Sequence, residues 1–243
     1  MASDFTLAGY RGLLAAFAAR GYAVTDYESA SPDRRDLILR HDIDMSLEAA
    51  LAVAEVEAEL GLRAHYFVLL RSALYNPWSP ADRVALVRLQ ALGHRVGLHF
   101  DASLYPDSDA ALEAACAEEC ALLAALLAAE PAPIVSFHRP APRLQGAARR
   151  FAGRRHTYEP AFFSAIGYCS DSRGAWRHGH PLDHPAVAAG TALQLLTHPV
   201  WWTRRAGETG VERLDRLRSD RDRQFAQALA ANCDIYSAPA ETE

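Results

Sequence analysis

The residues of this chain that could do chemistry recur at one kind of place. Apolar runs that read as short buried strands end in histidine or aspartate. Leu37-Ile38-Leu39 leads through Arg40 to His41, Asp42 and Asp44. Val96-Gly97-Leu98 leads to His99 and then Asp101. Ile134-Val135-Ser136-Phe137 leads to His138 and Arg139, Tyr168-Cys169 to Ser170 and Asp171, and Leu195-Leu196 to Thr197 and His198. Any one of these has an ordinary explanation. A histidine after a strand is usually a hydrogen-bonded core or loop residue, and an aspartate there is often the cap of the next helix. Together they supply carboxylates and imidazoles for a metal ion, with further acid and base groups beside them.

Such ends converge on one face only if the strands run parallel. The apolar periodicity predicts helices over 5–20, 46–60, 80–92, 109–130 and 211–231, and strands over 36–40, 65–70, 95–100, 134–137, 167–169 and 193–196. Alternation of strand and helix argues for an α/β fold with a parallel sheet or barrel. The stretch 139–184, rich in Pro, Gly, Arg and His, breaks the rhythm and reads as functional loops. With no repeat, linker or composition break, residues 1–243 are expected to form a single catalytic domain.

Composition narrows the function. Half of the 243 residues are hydrophobic, enough for a large core. A net charge of -5 argues against a nucleic-acid partner. All 25 basic residues are arginine, which excludes a Schiff-base lysine, a P-loop lysine and a lysine general base. Cys116, Cys120, Cys169 and Cys233 have no zinc-site spacing and read as small buried side chains in a reducing compartment. Asp4 precedes any basic residue, so no secretory signal is read, and Glu113, Glu118 and Glu119 interrupt the most apolar stretch, so no membrane span is expected. The expected location is cytoplasmic.

In motif order, residues 36–198 resemble the polysaccharide deacetylase family, also called the NodB-homology or carbohydrate esterase family 4 group. Asp42-Ile43-Asp44 is similar to its first motif, with the two acids spaced by one residue. Gly93-His94-Arg95-Val96-Gly97-Leu98-His99 resembles the lead-in and first histidine of the second motif, but the second histidine position holds Ser103. Phe137-His138-Arg139-Pro140, Asp171 with Trp176, and Leu196-Thr197-His198 resemble the remaining motifs. The His-Asp-x-Asp form, with Tyr75-Asn76-Pro77 downstream, looks like a divergent subgroup.

The resemblance implies a distorted (β/α) barrel of seven strands and one divalent ion, zinc first among the candidates. It implies Asp44 and His99 as metal ligands and Asp42 as general base. Arg139 would hold Asp42 ionised, and His198 would be the general acid with Asp171 beside it. His138 stands where it could replace the missing ligand, contact substrate or orient Asp42. His94 is read as structural. His41, Tyr75, Trp176 and Trp201 are the expected substrate contacts, with core packing an equal alternative for Trp201 and Trp202.

The implied reaction is hydrolysis of an N-acetyl or other acyl amide on an amino-sugar or sugar nucleotide, in surface-polysaccharide biosynthesis. The partner is then a small saccharide. Open alternatives are another C–N bond (a formamide, cyclic amide or ureide), an ester, or a non-catalytic carbohydrate-binding or regulatory protein on a degenerate deacetylase fold. Oligomeric state is not legible.

Overall fold

Most apolar runs that end in polar residues are strands, and the amphipathic runs between them are helices. A computed structural model describes residues 5–239. The order is α1 (Leu7–Ala19), β1 (Ala23–Thr25), β2 (Asp36–Ile43), α2 (Leu47–Glu59), β3 (His65–Val68), α3 (Pro80–Ala91), β4 (Arg95–Phe100) and α4 (Asp109–Leu127). There follow β5 (Ile134–Phe137), β6 (Arg155–His156), α5 (Pro160–Phe163), β7 (Gly167–Ser170), α6 (Pro185–Ala189), β8 (Leu193–Thr197) and α7 (Gly210–Asn232). The hydroxyls of Thr6, Ser46, Ser79 and Ser108 each accept a backbone N–H at the start of α1, α2, α3 and α4. These caps satisfy donors that a helix start would otherwise leave unpaired.

Among the described residues the sheet runs β6-β5-β4-β3-β2-β8-β7, with β1 added to β2, and every named pair is parallel. Seven strands lie on the main path, the number the resemblance implies. The sheet is curled. Flat, β8 and β6 would lie five strand spacings apart, about 24 Å. Yet Gln194 Nε2 on β8 donates to the Thr157 carbonyl just after β6, at 3.2 Å. No ladder joins β6 to β7 among the described residues. Aromatic rings fill that seam, with Tyr158 and Tyr168 6.3 Å apart and Phe163 and Tyr168 5.1 Å apart.

Strand side chains alternate in direction, so each strand feeds two environments. On β2, Leu37, Leu39 and Ile43 join the outer core with the helices, whereas Ile38 belongs to a separate inner cluster with Phe67, Ile134 and Phe162. That cluster plugs the floor of the barrel. Gly97 makes room for it, because a Cβ there would lie 2.8 Å from the Phe67 ring. Above the floor the inward positions turn polar, with Arg40, Ser136 and Gln194 all buried. Above these come Asp42, His99, His138 and His198.

The short pieces β1, β6, α5 and α6 have too few residues to show a period, and β6 and α5 lie in the irregular stretch 139–184. Cys116, Cys120 and Cys169 are buried, as the sequence suggests, but Cys233 is exposed beyond α7. On α7 only Arg213 is buried. No helix among the described residues is long and apolar enough to cross a membrane.

Candidate active site

The cavity at the strands' C-terminal ends has a volume of about 450 Å3 and is lined by Asp42, Asp44, His99, His138, Arg139, Arg173 and His198, among others. That volume lies within the range of about 300–1,000 Å3 usual for small-molecule sites. At its base, three donor atoms form a nearly equilateral triangle. His99 Nε2 is 3.1 Å from Asp44 Oδ1, His138 Nδ1 is 3.4 Å from the same oxygen, and the two nitrogens are 3.3 Å apart.

The triangle fits a metal ion. Ligands about 2.0–2.1 Å from a tetrahedral ion stand about 3.3–3.4 Å from one another. One carboxylate and two imidazoles are also a common donor set for zinc. Among the described residues, Asp44, His99 and His138 are the one such group of three. Burial alone would raise the Asp44 pKa, but hydrogen bonds with His138 and His99 and the charges of His99 and His198 hold it well below the usual carboxylate range. Asp44 is thus ionised, as a ligand must be. Ser103 is exposed and turned onto Asp101, whose Oδ1 accepts from its N–H and its hydroxyl.

Asp42 flanks the triangle on one side, with Oδ2 3.8 Å from His99 Nε2. Its partner is Arg40, not Arg139. Arg40 Nε donates to Asp42 Oδ1 at 3.0 Å and Nη2 donates to Oδ2 at 2.7 Å, inside the barrel. The Ser136 hydroxyl lies 3.0 Å from Oδ1 and 3.1 Å from Oδ2. Arg40 also donates to the Tyr158 hydroxyl and lies over its ring. Burial would raise the Asp42 pKa, but the charge and hydrogen bonds of Arg40, with His99 and His198, keep it below the ordinary value. Arg139 lines the mouth of the cavity and is exposed. Both arginines follow from pleat geometry: residues 40 and 42 share a face, and Arg139 lies beyond the end of β5.

His198 flanks the triangle on the other side, with Nε2 3.9 Å from Asp44 Oδ2. Fully buried Asp171 fixes it, accepting from the His198 backbone N–H and lying 2.7 Å from Nδ1. Trp202 Nε1 donates to the other carboxylate oxygen at 2.9 Å. Burial would lower the His198 pKa. The hydrogen bond and charge of Asp171, with Asp44 and Asp42, outweigh this and push it up to about 9.

Three expected substrate contacts lie elsewhere. His41 points away from the cavity, because it sits one residue out of phase with Arg40 and Asp42. It is fully buried against α1 and α2, 2.7 Å from Glu57 Oε1 and 2.6 Å from the Thr197 hydroxyl. The Tyr10 and Tyr66 hydroxyls, each at 2.6 Å, complete the hydrogen bonding of Glu57. Tyr75 is buried, and its hydroxyl donates to the Ile43 carbonyl and accepts from the Leu69 N–H, tying the end of β2 to the segment after β3. Trp176 packs on Phe5 and Trp202 and lines a different depression, on the α1 side. Trp201 does line the cavity. His94 is buried away from the cavity, with Nδ1 accepting the Ala64 N–H.

Four residues at or behind the cavity wall are given no role by the sequence: Arg40, Ser136, Tyr158 and Arg173. The first two carried a signal, since each is a polar residue on the inward face of a predicted strand. No protein-family model matches the chain, and no curated protein matches it. Among solved structures, the chain is similar to a chitin deacetylase from the fungus Colletotrichum lindemuthianum, with 16% identity over 78% of this chain and 83% of that one and a TM-score of 0.44. It is also similar to a family 4 carbohydrate esterase from Bacillus anthracis, with 14% identity over 86% of each chain and a TM-score of 0.41.

Proposed function

We propose that this chain is a metal-dependent amide hydrolase that removes an acyl group from an N-acylated amino-sugar. One observation carries the reading: a ligand triangle of Asp44, His99 and His138 lies between a carboxylate held by Arg40 and an imidazole held by Asp171. A divalent ion, zinc first among the candidates, would supply Lewis acidity, acidifying water and polarising a carbonyl oxygen.

The chain's own groups divide the proton work. Asp42 accepts the proton of the attacking water. Its pairing with Arg40 keeps it ionised and fixes its direction, so no reorganisation is needed at the moment of transfer. His198 stays protonated through neutral pH and donates to the departing nitrogen. Asp171 holds the ring so that Nε2 faces the cavity. Trp201 forms part of the apolar wall against which a sugar ring stacks. Residues 1–243 act as one catalytic domain, and the saccharide substrate follows from the sequence resemblance, as does a role in surface-polysaccharide biosynthesis.

The test is metal content and hydrolysis together. The protein is stripped with chelator, reloaded with zinc, and assayed for acetate release from N-acetylated sugars. Stoichiometric zinc with zinc-dependent release supports the reading. Full release in the stripped protein overturns it.

A further inference from the structure

Two arginines at the cavity remain after every other charge there has found a partner. Asp42 is paired with Arg40, Asp44 faces two imidazoles, and His198 is paired with Asp171. Arg139 and Arg173 also line the cavity. Neither has an ion-pair or hydrogen-bond partner among the described residues.

Their backbone is unusual too. Four non-glycine residues among those described have a left-handed backbone, and two of them are Arg139 (φ 45°) and Arg173 (φ 60°). That conformation is unfavourable for a residue with a Cβ. Arg139 follows β5 and Arg173 follows β7, so they approach the cavity from the two sides of the seam. Between them Tyr158 and Tyr168 line the same cavity.

We propose that Arg139 and Arg173 form an anion subsite, and that the substrate carries a phosphate or carboxylate group on the sugar bearing the scissile amide. The proposal rests on the amide-hydrolase reading and narrows its substrate class. A guanidinium presents a planar fork that matches both oxyanions. Because the other charges of the site are paired with one another, the two guanidiniums set an unbalanced positive field at the cavity wall. A neutral saccharide would leave that field uncompensated, whereas an anionic one is drawn in and oriented by it.

The test compares three probes on metal-free protein by calorimetry at fixed low salt: N-acetylglucosamine, its 1-phosphate, and N-acetylmuramic acid. The expected result is at least about tenfold tighter binding of one anionic probe than of the neutral one. Which anion gains tells phosphate from carboxylate. Arg139→Gln and Arg173→Gln should each reduce the ratio towards unity, and Arg139→Lys, which keeps charge but loses the fork, should fall between. Thermal melts confirm that each variant is folded. Equal affinity for the three probes, no binding of either anionic probe, or an unchanged ratio in both glutamine variants overturns the proposal. Zinc-loaded protein is assayed in parallel. If the ratio holds but no probe is hydrolysed, the amide-hydrolase reading fails and the anion subsite stands. If hydrolysis proceeds without charge preference, the reverse holds.

Discussion

Arg40 and Asp42 lie two residues apart on β2, and inside the barrel the guanidinium of one grips both oxygens of the other's carboxylate. Both side chains are almost wholly out of water, at 0% and 3% exposure. A buried ion pair of this kind adds little net stability, but breaking it from one side strands a charge, at a cost of about 3–5 kcal/mol.

Arg40→Met should therefore destabilise the protein by an amount in that range, and Arg40→Met with Asp42→Asn together by less than the sum of the two single changes. Urea unfolding of the three variants closes the cycle. Additive losses would show that the two residues do not act as a unit.

Metal binding should follow the triangle and ignore the vacant family position. Asp44→Asn, His99→Gln and His138→Gln should each weaken zinc binding by more than the roughly 10–100-fold that losing an outer-shell partner costs. Ser103→His should neither add affinity nor rescue His138→Gln, because residue 103 is exposed and turned onto Asp101. Competition titrations with a chromophoric chelator measure all four. Rescue by the Ser103 variant would move the third ligand from His138 to position 103.

Strand ends bearing His or Asp were visible because burial and alternation impose a two-residue period on β2, β4, β5 and β8. The same period separates Arg40 and Asp42, which point in, from His41, which points out. A reading by strand end groups all three. The motif order places the arginine partner of Asp42 at Arg139, next to a proline, although residue 40 shares the face of residue 42. Tyr158 and Arg173 were not legible, because they enter the cavity from loops of the stretch 139–184. Loop paths are set by tertiary packing, and no local period encodes them. Tyr75 shows the opposite limit: an aromatic near a motif resembles a substrate contact, but its hydroxyl secures two backbone groups.

The Asp171–His198 pair predicts a pH dependence with a definite sign. The folded pKa of His198 is raised to about 9. Its stabilising contribution is thus complete below the unfolded value of about 6.5 and is lost as the pH rises through the folded one. In metal-free protein, an NMR titration of the His198 ring should give a midpoint near 9, and Asp171→Asn should bring it down. In the zinc enzyme, the alkaline limb of the kcat profile should move to lower pH in the same variant, since less of the general acid stays protonated. An unmoved midpoint in Asp171→Asn would remove Asp171 from the proton-donating pair.

At the far end of the barrel, His65 works in the opposite direction. It is buried at the start of β3, edge-on to Tyr27 and stacked over Phe67. Burial, with the charge of Arg95, lowers its pKa to about 3. The unfolded chain takes up a proton near pH 6.5, whereas the folded chain refuses it until far lower. Stability is therefore full above about 6.5 and falls between there and about 3, by at most about 1.4 kcal/mol per pH unit for one group. His94 and His156 are shifted the same way by burial and add to the slope. His65→Leu retains an apolar side chain in the slot and binds no proton. Its unfolding free energy, measured by urea titration at steps from pH 7 to pH 4, should decline less steeply than that of the parent by up to one proton's slope. Parallel declines would mean that His65 accepts its proton in the folded state, and the acid sensitivity of the fold would then rest on the other buried histidines.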